Sequence, residues 1–355
     1  MKSEFWKGKR VFLTGHTGFK GSWLAFILSE IGAKVCGYSI DVPTRDSLYK
    51  ALGISGRIEK NVLGDVCDES LLLSELSDFE PEIVFHLAAQ ALVIDSYEDP
   101  VKTYRDNVMG TLSLLNAVRR VGSVKSCLIV TTDKVYQNQE TLRAYKETDP
   151  LGGHDPYSSS KACTEIVTES MRKSFFSEEK IRISTARAGN VFGGGDWARN
   201  RIVTDLVKSV LEQKPVVLRN PSAIRPWQHA FEPLVGYLKL AQANYLKQLE
   251  SHSINFGPDS GSEATVEDLV NLFYEKWGAP FKAIRGNQAV HHEAQILKLD
   301  NTKARELLGW SPCWDMSRAL AATVEWYQAY YSGHNLDALS RRQLLEYLEE
   351  SKVDL

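Results

Sequence analysis

Residues 10–23 read RVFLTGHTGFKGSW, and this stretch decides the fold. The apolar residues 11–14 predict a strand, the glycines after them a tight turn, and residues 21–31 a helix; residues 34–39 then predict a second strand. A strand, a crossover helix and a second, parallel strand make up a βαβ unit. The sequence therefore opens as an α/β protein.

The same alternation continues beyond this unit. Strand-like apolar runs cover residues 83–87, 127–131 and 181–186, and helical stretches at 101–121 and 157–175 separate them. The runs are almost continuously apolar, which is typical of strands covered on both faces. We therefore predict a Rossmann-type, doubly wound parallel sheet, followed by a smaller mixed α/β substrate-binding domain.

The composition changes after residue 186. Glycine, proline, tryptophan and arginine become frequent there, and helices are predicted near residues 202–213 and 266–277. This change places a domain boundary near residue 186. The predicted units are a Rossmann domain of residues 1–186 with a returning segment at about 228–258, a substrate-binding domain of residues 187–227 and 259–340, and a C-terminal tail of residues 341–355.

Composition and charge limit the ligands that this chain can bind. It has 355 residues and a formal net charge of −3, so it lacks the overall positive field that attracts nucleic acid. Its five cysteines are scattered without metal-ligand spacing, which argues against zinc and disulfides and favours a reducing, cytoplasmic setting. No apolar stretch is long enough to span a membrane, and the N-terminus shows no export signal. We expect a protein that binds small molecules, without metal, membrane or nucleic acid.

Gly15, Gly18 and Gly21 lie in the turn between the first strand and its helix. Glycine lets a phosphate approach the backbone, and the start of a helix offers free N–H groups and a positive dipole end. The motif therefore predicts a dinucleotide pyrophosphate site, although the glycines could serve only a tight turn. After the second strand, Asp41 could bond a ribose diol of NAD, whereas Arg45 could pair with the 2′-phosphate of NADP. The sequence favours NAD.

The Gly-x-x-Gly-x-x-Gly spacing resembles that of the extended short-chain dehydrogenases/reductases. The resemblance implies that Asp65 and Val66 meet the adenine, that residues 87–89 pass under the nicotinamide ribose, and that Asn107 braces the site through a helix irregularity. Asp65 could instead cap the helix that begins near Asp68, residues 87–89 could be strand core, and Asn107 could face solvent. The implied cofactor-binding residues are Gly15, Thr17, Gly18, Phe19, Gly21, Asp65, Val66, Leu87, Ala88, Ala89, Asn107, Tyr157 and Lys161.

Tyr157 and Lys161 are four residues apart in a predicted helix, so both side chains point to the same face. A neighbouring ammonium group stabilises a phenolate, and we therefore expect Lys161 to lower the pKa of Tyr157 enough for it to act as a base. The pair could also lie on an exposed helix face. Its neighbours decide between these interpretations.

Thr132, Asp133 and Lys134 directly follow a predicted strand of the sheet. Open α/β sheets bind their ligands at the carboxyl ends of the strands, so these side chains are expected at the site edge. A hydroxyl, a carboxylate and an amine can each move a proton, and together they exceed what a simple dehydrogenation requires. Two alternatives stay open: Lys134 could only pair with Asp133 or with a phosphate, and Asp133 could only form a turn.

Four parts of the sequence together resemble the nucleotide-sugar 4,6-dehydratases that act on CDP-glucose. They are the triplet 132–134, the Tyr157-x-x-x-Lys161 pair, residues 14–23 and the segment 225–229 (RPWQH). Lys134 is the marker, since relatives that act on dTDP-glucose and GDP-mannose carry Thr-Asp-Glu or similar. The resemblance implies a lyase of deoxysugar and O-antigen lipopolysaccharide biosynthesis.

In the implied reaction, Tyr157 takes the C4 hydroxyl proton as hydride passes from C4 to NAD. Lys134 then takes the C5 proton, Asp133 protonates the leaving C6 hydroxyl, and hydride returns to C6. Thr132 would orient the C4 hydroxyl. The alternatives are a 4,6-dehydratase or C4-epimerase for another nucleotide-sugar and, in a different class, a catalytically silent NAD-binding module.

A nucleotide-diphospho-sugar brings a diphosphate, which requires cationic or polar partners. By resemblance these substrate-binding residues are Asn190, Arg201, Arg225 and His292, although any one of them could be solvated surface. The family's Ala-Ala-Gln-Pro-Leu-Val-Arg segment is altered, with Ala91 and Ile94 replacing proline and arginine and Asp95 following. This change puts the substrate preference in question.

Helices at 101–121 and 157–175 resemble the pair that builds a dimeric four-helix bundle in relatives. Apolar residues recur along both at helical spacing. A homodimer or a dimer of dimers is expected, although the same apolar stripes could be intramolecular core.

Overall fold

The computed structural model describes residues 4–249, 252–259, 262, 264–286 and 294–354. Within these residues, no helix combines the length and apolar character that crossing a membrane requires. Seven parallel strands form the central sheet, in the order β3-β2-β1-β4-β5-β6-β11. Their bounds are β1 Arg10–Thr14, β2 Lys34–Ser39, β3 Lys60–Leu63, β4 Ile83–His86, β5 Ser126–Val130, β6 Arg182–Ala188 and β11 Ser253–Phe256.

Helices flank this sheet and three two-stranded sheets lie beyond it. The helices are α1 Phe19–Glu30, α2 Leu48–Ala51, α3 Glu69–Phe79, α4 Val93–Glu98, α5 Pro100–Tyr104, α6 Gly110–Val118, α7 Pro156–Phe175, α8 Ile202–Glu212, α9 Phe231–Tyr245, α10 Val266–Trp277, α11 Thr302–Leu308, α12 Met316–Tyr331 and α13 Leu336–Ser351. The small sheets pair β7 Val191–Phe192 with β10 Gln228–His229, β8 Val216–Leu218 with β13 Ala283–Arg285, and β9 Ile224–Arg225 with β12 Ala264–Thr265.

Both faces of the sheet are buried, and β1 shows why its sequence is continuously apolar. Val11 and Leu13 point into one hydrophobic cluster, whereas Phe12, between them, points into a second cluster on the opposite face. Side chains alternate along a strand, so a strand covered on both faces has no polar positions. The predicted doubly wound sheet is confirmed.

Three elements differ from the sequence-based expectation. Helix α1 begins at Phe19, two positions before the predicted start, so Gly21 lies inside its first turn. The helix predicted over residues 101–121 is interrupted by a π-helical turn, Arg105–Met109, between α5 and α6. Residues 341–351 belong to α13, whose Tyr347 is fully buried, so this part of the predicted tail is a packed helix.

After β10, the chain returns to the central sheet. Helix α9 packs beside β5 and β6, and β11 then adds the edge strand next to β6. The segment at 228–258 thus adds a strand to the main sheet and a helix that packs against it. This return brings the small sheets over the carboxyl ends of the central strands.

Candidate active site

A cavity of about 2230 Å³ lies at the carboxyl ends of the central strands. The residues that follow β1, β2, β4, β5 and β6 all line it, and the small sheets close its other side. This is the position at which open parallel sheets bind ligands. Its volume is enough for two ligands of nucleotide size.

The glycine turn forms one end of this cavity and needs its glycines for steric reasons. Gly15 has φ +78°, and a Cβ there would lie 2.6 Å from the Ala88 nitrogen. A Cβ on Gly21 would lie 1.9 Å from the Gly15 carbonyl oxygen. Gly18, the residue before α1, supplies no side-chain cap, which leaves the first-turn N–H groups for an anion. Thr17, beside them, donates its hydroxyl to the Asp41 carbonyl at 2.5 Å.

A buried hydrogen-bond chain holds the turn after β4. The N–H groups of Leu87 and Ala88 both donate to Thr14 Oγ1 at 3.2 Å. The Thr14 hydroxyl therefore donates to His86 Nδ1 (2.7 Å), and His86 Nε2 donates to Thr111 Oγ1 (3.0 Å). Burial, and then the charge of Lys161, lower the pKa of His86 to about 3, so this ring is neutral. The strand end that lines the cavity is thus fixed from behind.

Asn107 extends this brace from the π-helical turn. It is buried, accepts from the Gln90 N–H at 2.8 Å, and donates to the Gln90 carbonyl at 3.1 Å and to Ser160 Oγ at 2.8 Å. The Asn107 carbonyl accepts from Thr111 (2.7 Å) and Thr164 (3.1 Å). Asn107 therefore does not face solvent, and it joins the loop after β4 to α7.

The residues expected at the adenine lie outside the cavity lining. Helix α3 is capped by Asp68, which accepts from the Leu71 N–H at 3.0 Å, so Asp65 is not the cap. Asp65 accepts instead from the Cys67 N–H at 2.8 Å and bonds Arg105. Burial opposes ionisation of Asp65, but these two donors outweigh it and hold its pKa below the usual value. Val66 is buried beside it.

Helix α7 places Tyr157 and Lys161 at the cavity wall. Asp155 caps the helix by accepting from the Ser158 N–H at 2.9 Å, and Pro156 occupies the first helical position. Tyr157 lies close enough to the Thr132 hydroxyl for its pKa to be affected, and Lys161 donates to the Val130 carbonyl at 3.3 Å. The two side chains lie on one face as predicted, and neither is on an exposed surface.

The expected effect of Lys161 on Tyr157 is corrected by the structure. Burial raises the pKa of Tyr157 to about 12, and the Thr132 hydrogen bond and the charge of Arg201 offset this only in part. Burial, followed by the like charge of Lys20, lowers the pKa of Lys161 to about 7. Without ligand, desolvation dominates both groups.

Asp133 and Lys134 form a short 3-10 helix, Asp133–Val135, directly after β5. Asp133 is fully buried; its Oδ1 accepts from Thr132 at 2.9 Å and from Lys134 Nζ at 3.0 Å, while its Oδ2 has no partner among the described residues. Gly189 makes room, since a Cβ there would lie 1.9 Å from Oδ2. Lys134 lines the cavity with 30% of its side chain exposed and also reaches Asn190 Oδ1 at 3.5 Å. The pairing that the sequence left open is present, and it holds the amine at the cavity surface.

The predicted substrate residues line the same cavity, apart from His292, which lies outside the described residues. Asn190 has φ +48°, and Arg201 donates to the Ala91 carbonyl at 3.4 Å. Arg225 donates to the Ile224 carbonyl at 2.9 Å. The altered Asp95 pairs with Arg199, at 2.9 Å, across the cavity mouth.

Sequence reasoning missed two residues of this region. His86 was taken only as part of a strand, yet it links Thr14 to Thr111. Lys20 stands inside the glycine motif and its side chain lines the cavity. A lysine between the motif glycines was the available signal for the second residue.

The fold and the site define the class. A seven-stranded parallel sheet, a glycine turn at its first crossover and a Tyr-x-x-x-Lys pair beside the strand ends are features of the extended short-chain dehydrogenases/reductases. The model of the family described as GDP-mannose 4,6 dehydratase matches residues 12–323, and the chain belongs to this family.

Individual relatives narrow the comparison. The chain is 44% identical to the CDP-glucose 4,6-dehydratase of Salmonella typhimurium over 351 residues, which cover 97% of this chain and 98% of the relative. The solved UDP-glucose 4-epimerase of Thermotoga maritima has a TM-score of 0.80 at 24% identity, covering 91% of this chain and 99% of the other. The dTDP-glucose 4,6-dehydratase of Bacillus anthracis, in complex with NAD, has a TM-score of 0.76 at 19% identity, covering 93% and 100%. These similarities confirm the predicted fold class and the predicted resemblance.

Proposed function

We propose that this protein is an NAD-dependent lyase that dehydrates CDP-glucose to CDP-4-keto-6-deoxyglucose. The observation that carries the proposal is the buried Asp133 bonded to Lys134 at the cavity surface, beside the Thr132–Tyr157 pair. Elimination from C6 needs an acid and an amine next to the tyrosine that takes the C4 hydroxyl proton. Epimerisation does not need them. The 44% identity to a CDP-glucose 4,6-dehydratase supports the same reaction.

The residues around the glycine turn fit a dinucleotide. Side chains at Gly15 and Gly21 would clash with the backbone around the turn, so the glycines keep the turn tight, and the uncapped start of α1 offers N–H donors to a pyrophosphate. Asp41 lines the cavity and Arg45 does not, which favours the free ribose diol of NAD. Bound NAD would accept a hydride from C4 of the sugar and return it to C6.

Tyr157 and Thr132 would act on the C4 hydroxyl. Thr132 orients this hydroxyl, and the Tyr157 phenolate takes its proton as the C–H electron pair leaves C4, which becomes a ketone. The high pKa of the buried tyrosine must fall for this step, and a cationic nicotinamide ring beside it would stabilise the phenolate. Lys161, on the same helix face, would hold the nicotinamide ribose.

Lys134 and Asp133 would carry out the elimination. The new C4 ketone acidifies the C5 proton, which Lys134 in its neutral form removes. The C5–H electron pair forms the C5–C6 double bond, and the C6–O bond breaks as Asp133 gives the departing oxygen a proton. Hydride then adds at C6 and a proton at C5, so the net change is the loss of one water. Asn190, Arg201, Arg225 and His292 would hold the diphosphate.

The assembly and location follow the same proposal. Several apolar side chains on α5 to α7 are exposed, among them Val101 (78%), Ile166 (57%) and Phe175 (57%). Such a face fits a homodimer or a dimer of dimers built on these helices. All five cysteines are free, which suits a cytoplasmic enzyme of deoxysugar and O-antigen lipopolysaccharide biosynthesis. Light scattering on wild type and Ile166→Glu would report the oligomer.

The test is a substrate panel. Purified protein with NAD is incubated with CDP-glucose, dTDP-glucose, UDP-glucose or GDP-mannose, and the 4-keto-6-deoxy product is followed by its absorbance in alkali and by mass. We expect product with CDP-glucose. Product with another donor alone would keep the reaction and change the substrate, whereas no product from a protein that still binds NAD would favour the silent binding module.

The matched variant is Lys134→Met, run in deuterium oxide. If Lys134 is the C5 base, this variant should form no product and should incorporate no deuterium from the solvent at C5. Full dehydration by this variant would show that Lys134 only pairs with Asp133.

A further inference from the structure

Lys20 occupies the first turn of α1, between the glycines of the turn, and its side chain lines the cavity. Its ammonium group lies 5.8 Å from the ring centroid of Tyr237, a fully buried residue of α9. The Lys20 ammonium group therefore lies between the cofactor end of the cavity and α9.

The charges around Lys20 are mostly positive. The charge of Lys20 interacts with those of three other cations, Arg201, Lys134 and Lys161. The carboxylate that acts on Lys20 is that of Asp133. That carboxylate already pairs with Lys134. Within the described residues no carboxylate forms an ion pair with Lys20, whose recorded partner is the aromatic ring.

An ammonium group in such a place is costly for the free protein. Burial, and then the charge of Arg201, lower the pKa of Lys20 to about 8. Removing a cation from water without a counter-ion destabilises its charged form, and neighbouring cations add to this effect. A ligand that carries negative charge would reverse both contributions.

We propose that Lys20 is a diphosphate-binding residue, placed where the cofactor end of the cavity meets the wall that carries Arg201. Either NAD, at the start of α1, or the nucleotide-sugar, beside Arg201, could supply the diphosphate. The assignment rests on the proposed function for the identity of these two ligands. Its position between them makes Lys20 a residue through which one ligand can influence binding of the other.

Binding to Lys20→Met tests this assignment. Methionine keeps a linear apolar stem against Tyr237 and removes only the charge. Titration calorimetry with NAD alone and with CDP alone is compared between wild type, Lys20→Met and the control Lys7→Met, since Lys7 is exposed and lies outside the cavity. We expect at least a tenfold weaker Kd, about 1.4 kcal/mol, for one or both ligands in Lys20→Met and none in Lys7→Met.

The two ligands identify the source of the phosphate. A loss confined to NAD assigns Lys20 to the cofactor, a loss confined to CDP assigns it to the substrate, and unchanged affinity for both overturns the proposal. The melting temperature of the ligand-free variant should equal or exceed that of wild type, because an unpaired buried charge is gone. Lys20→Gln serves as the second variant if Lys20→Met does not fold.

Proton uptake gives an independent readout. A bound anion favours the charged lysine, so binding above pH 8 should take up a proton, measured as a heat that changes with the ionisation enthalpy of the buffer. Lys134, Lys161, Arg201, Asp133, Tyr157 and Tyr237 face the same region and contribute a background. The uptake lost in Lys20→Met is therefore the relevant difference, and no loss would contradict the proposal.

Wild-type protein that binds NAD and CDP but makes no product from any donor would refute the proposed function alone. The Lys20 assignment would stand in that case.

Discussion

The two walls of the cavity are built in different ways. On the wall formed by the strand ends, Asn107 and His86 are buried and bonded on both sides, and they hold the loop after β4 and helix α7 in register. On the wall formed by the small sheets, Arg201 and Arg225 donate to backbone carbonyls at distances of 2.9 to 3.4 Å. The proposed chemistry is thus placed on the rigid wall, and recognition of the nucleotide on the adjustable one.

This difference has a physical reason. Proton transfer requires groups within hydrogen-bond reach and in fixed orientation, so the network behind Tyr157 must leave little freedom. A diphosphate is recognised by charge at several points, and flexible arginines can adapt to it. Substitutions on the first wall should therefore change turnover and folding, and those on the second wall should change KM.

The largest effect is expected for Tyr157→Phe on the rigid wall. The variant keeps the buried ring but removes the group that takes the C4 proton, and kcat should fall by about 10³-fold. Product formation from the active donor is measured alongside the NAD affinity, which should remain within threefold of wild type. A variant with more than a tenth of the wild-type kcat would show that another group removes this proton.

Gly21→Ala tests the cofactor end of the same wall. The new Cβ would lie 1.9 Å from the Gly15 carbonyl oxygen, so the turn must move and the N–H groups at the start of α1 lose their alignment. We expect NAD binding to weaken by about 10²-fold or more. Gly122→Ala is the matched control, since a Cβ there meets nothing within 4 Å. Equal affinity in both variants would mean that the turn does not hold the pyrophosphate.

Much of the rigid wall could be predicted from sequence because its signals are local. The glycine spacing, the apolar runs and the Tyr157–Lys161 pair are each defined within a few residues of one another. The π-helical turn at Arg105–Met109 was expected only from the family resemblance, which implies a helix irregularity at Asn107. The local pattern does not indicate it, because it depends on Asn107 reaching Gln90 and Ser160, which are distant in sequence.

The wall that carries the arginines was harder to predict from sequence, because its contacts also join residues that are distant in the chain. Asp95 pairs with Arg199, which lies 104 residues further along the chain, and no local pattern indicates that contact. The helix at 341–351 looks like a polar tail in sequence, yet Tyr347 donates to the buried Glu232 at 2.7 Å and anchors it. Contacts of this kind depend on the assembled fold.

Arg201→Met measures the adjustable wall directly. The side chain is exposed to the cavity and makes one hydrogen bond, at 3.4 Å, to the described residues, so its loss should leave folding unchanged. If Arg201 meets the diphosphate, KM should rise about 10- to 30-fold with kcat within threefold of wild type, as expected when uniform binding is lost. A fall in kcat at unchanged KM would instead place Arg201 with the catalytic groups, through its charge on Tyr157.

The smallest effects test the comparison through stability. Asn107→Ala removes a buried side chain that satisfies the Gln90 backbone and Ser160, and the partners left unpaired should lower the free energy of unfolding by about 2 kcal/mol. Arg199→Ala breaks the exposed pairs with Asp95 and Glu98 at the cavity mouth, and solvent replaces them. Denaturant unfolding of the ligand-free protein should separate the two variants clearly, with Arg199→Ala indistinguishable from wild type. If Arg199→Ala proved as destabilising as Asn107→Ala, the ion pairs across the mouth would be structural, and the wall that carries the arginines would be as rigid as the wall that carries Tyr157.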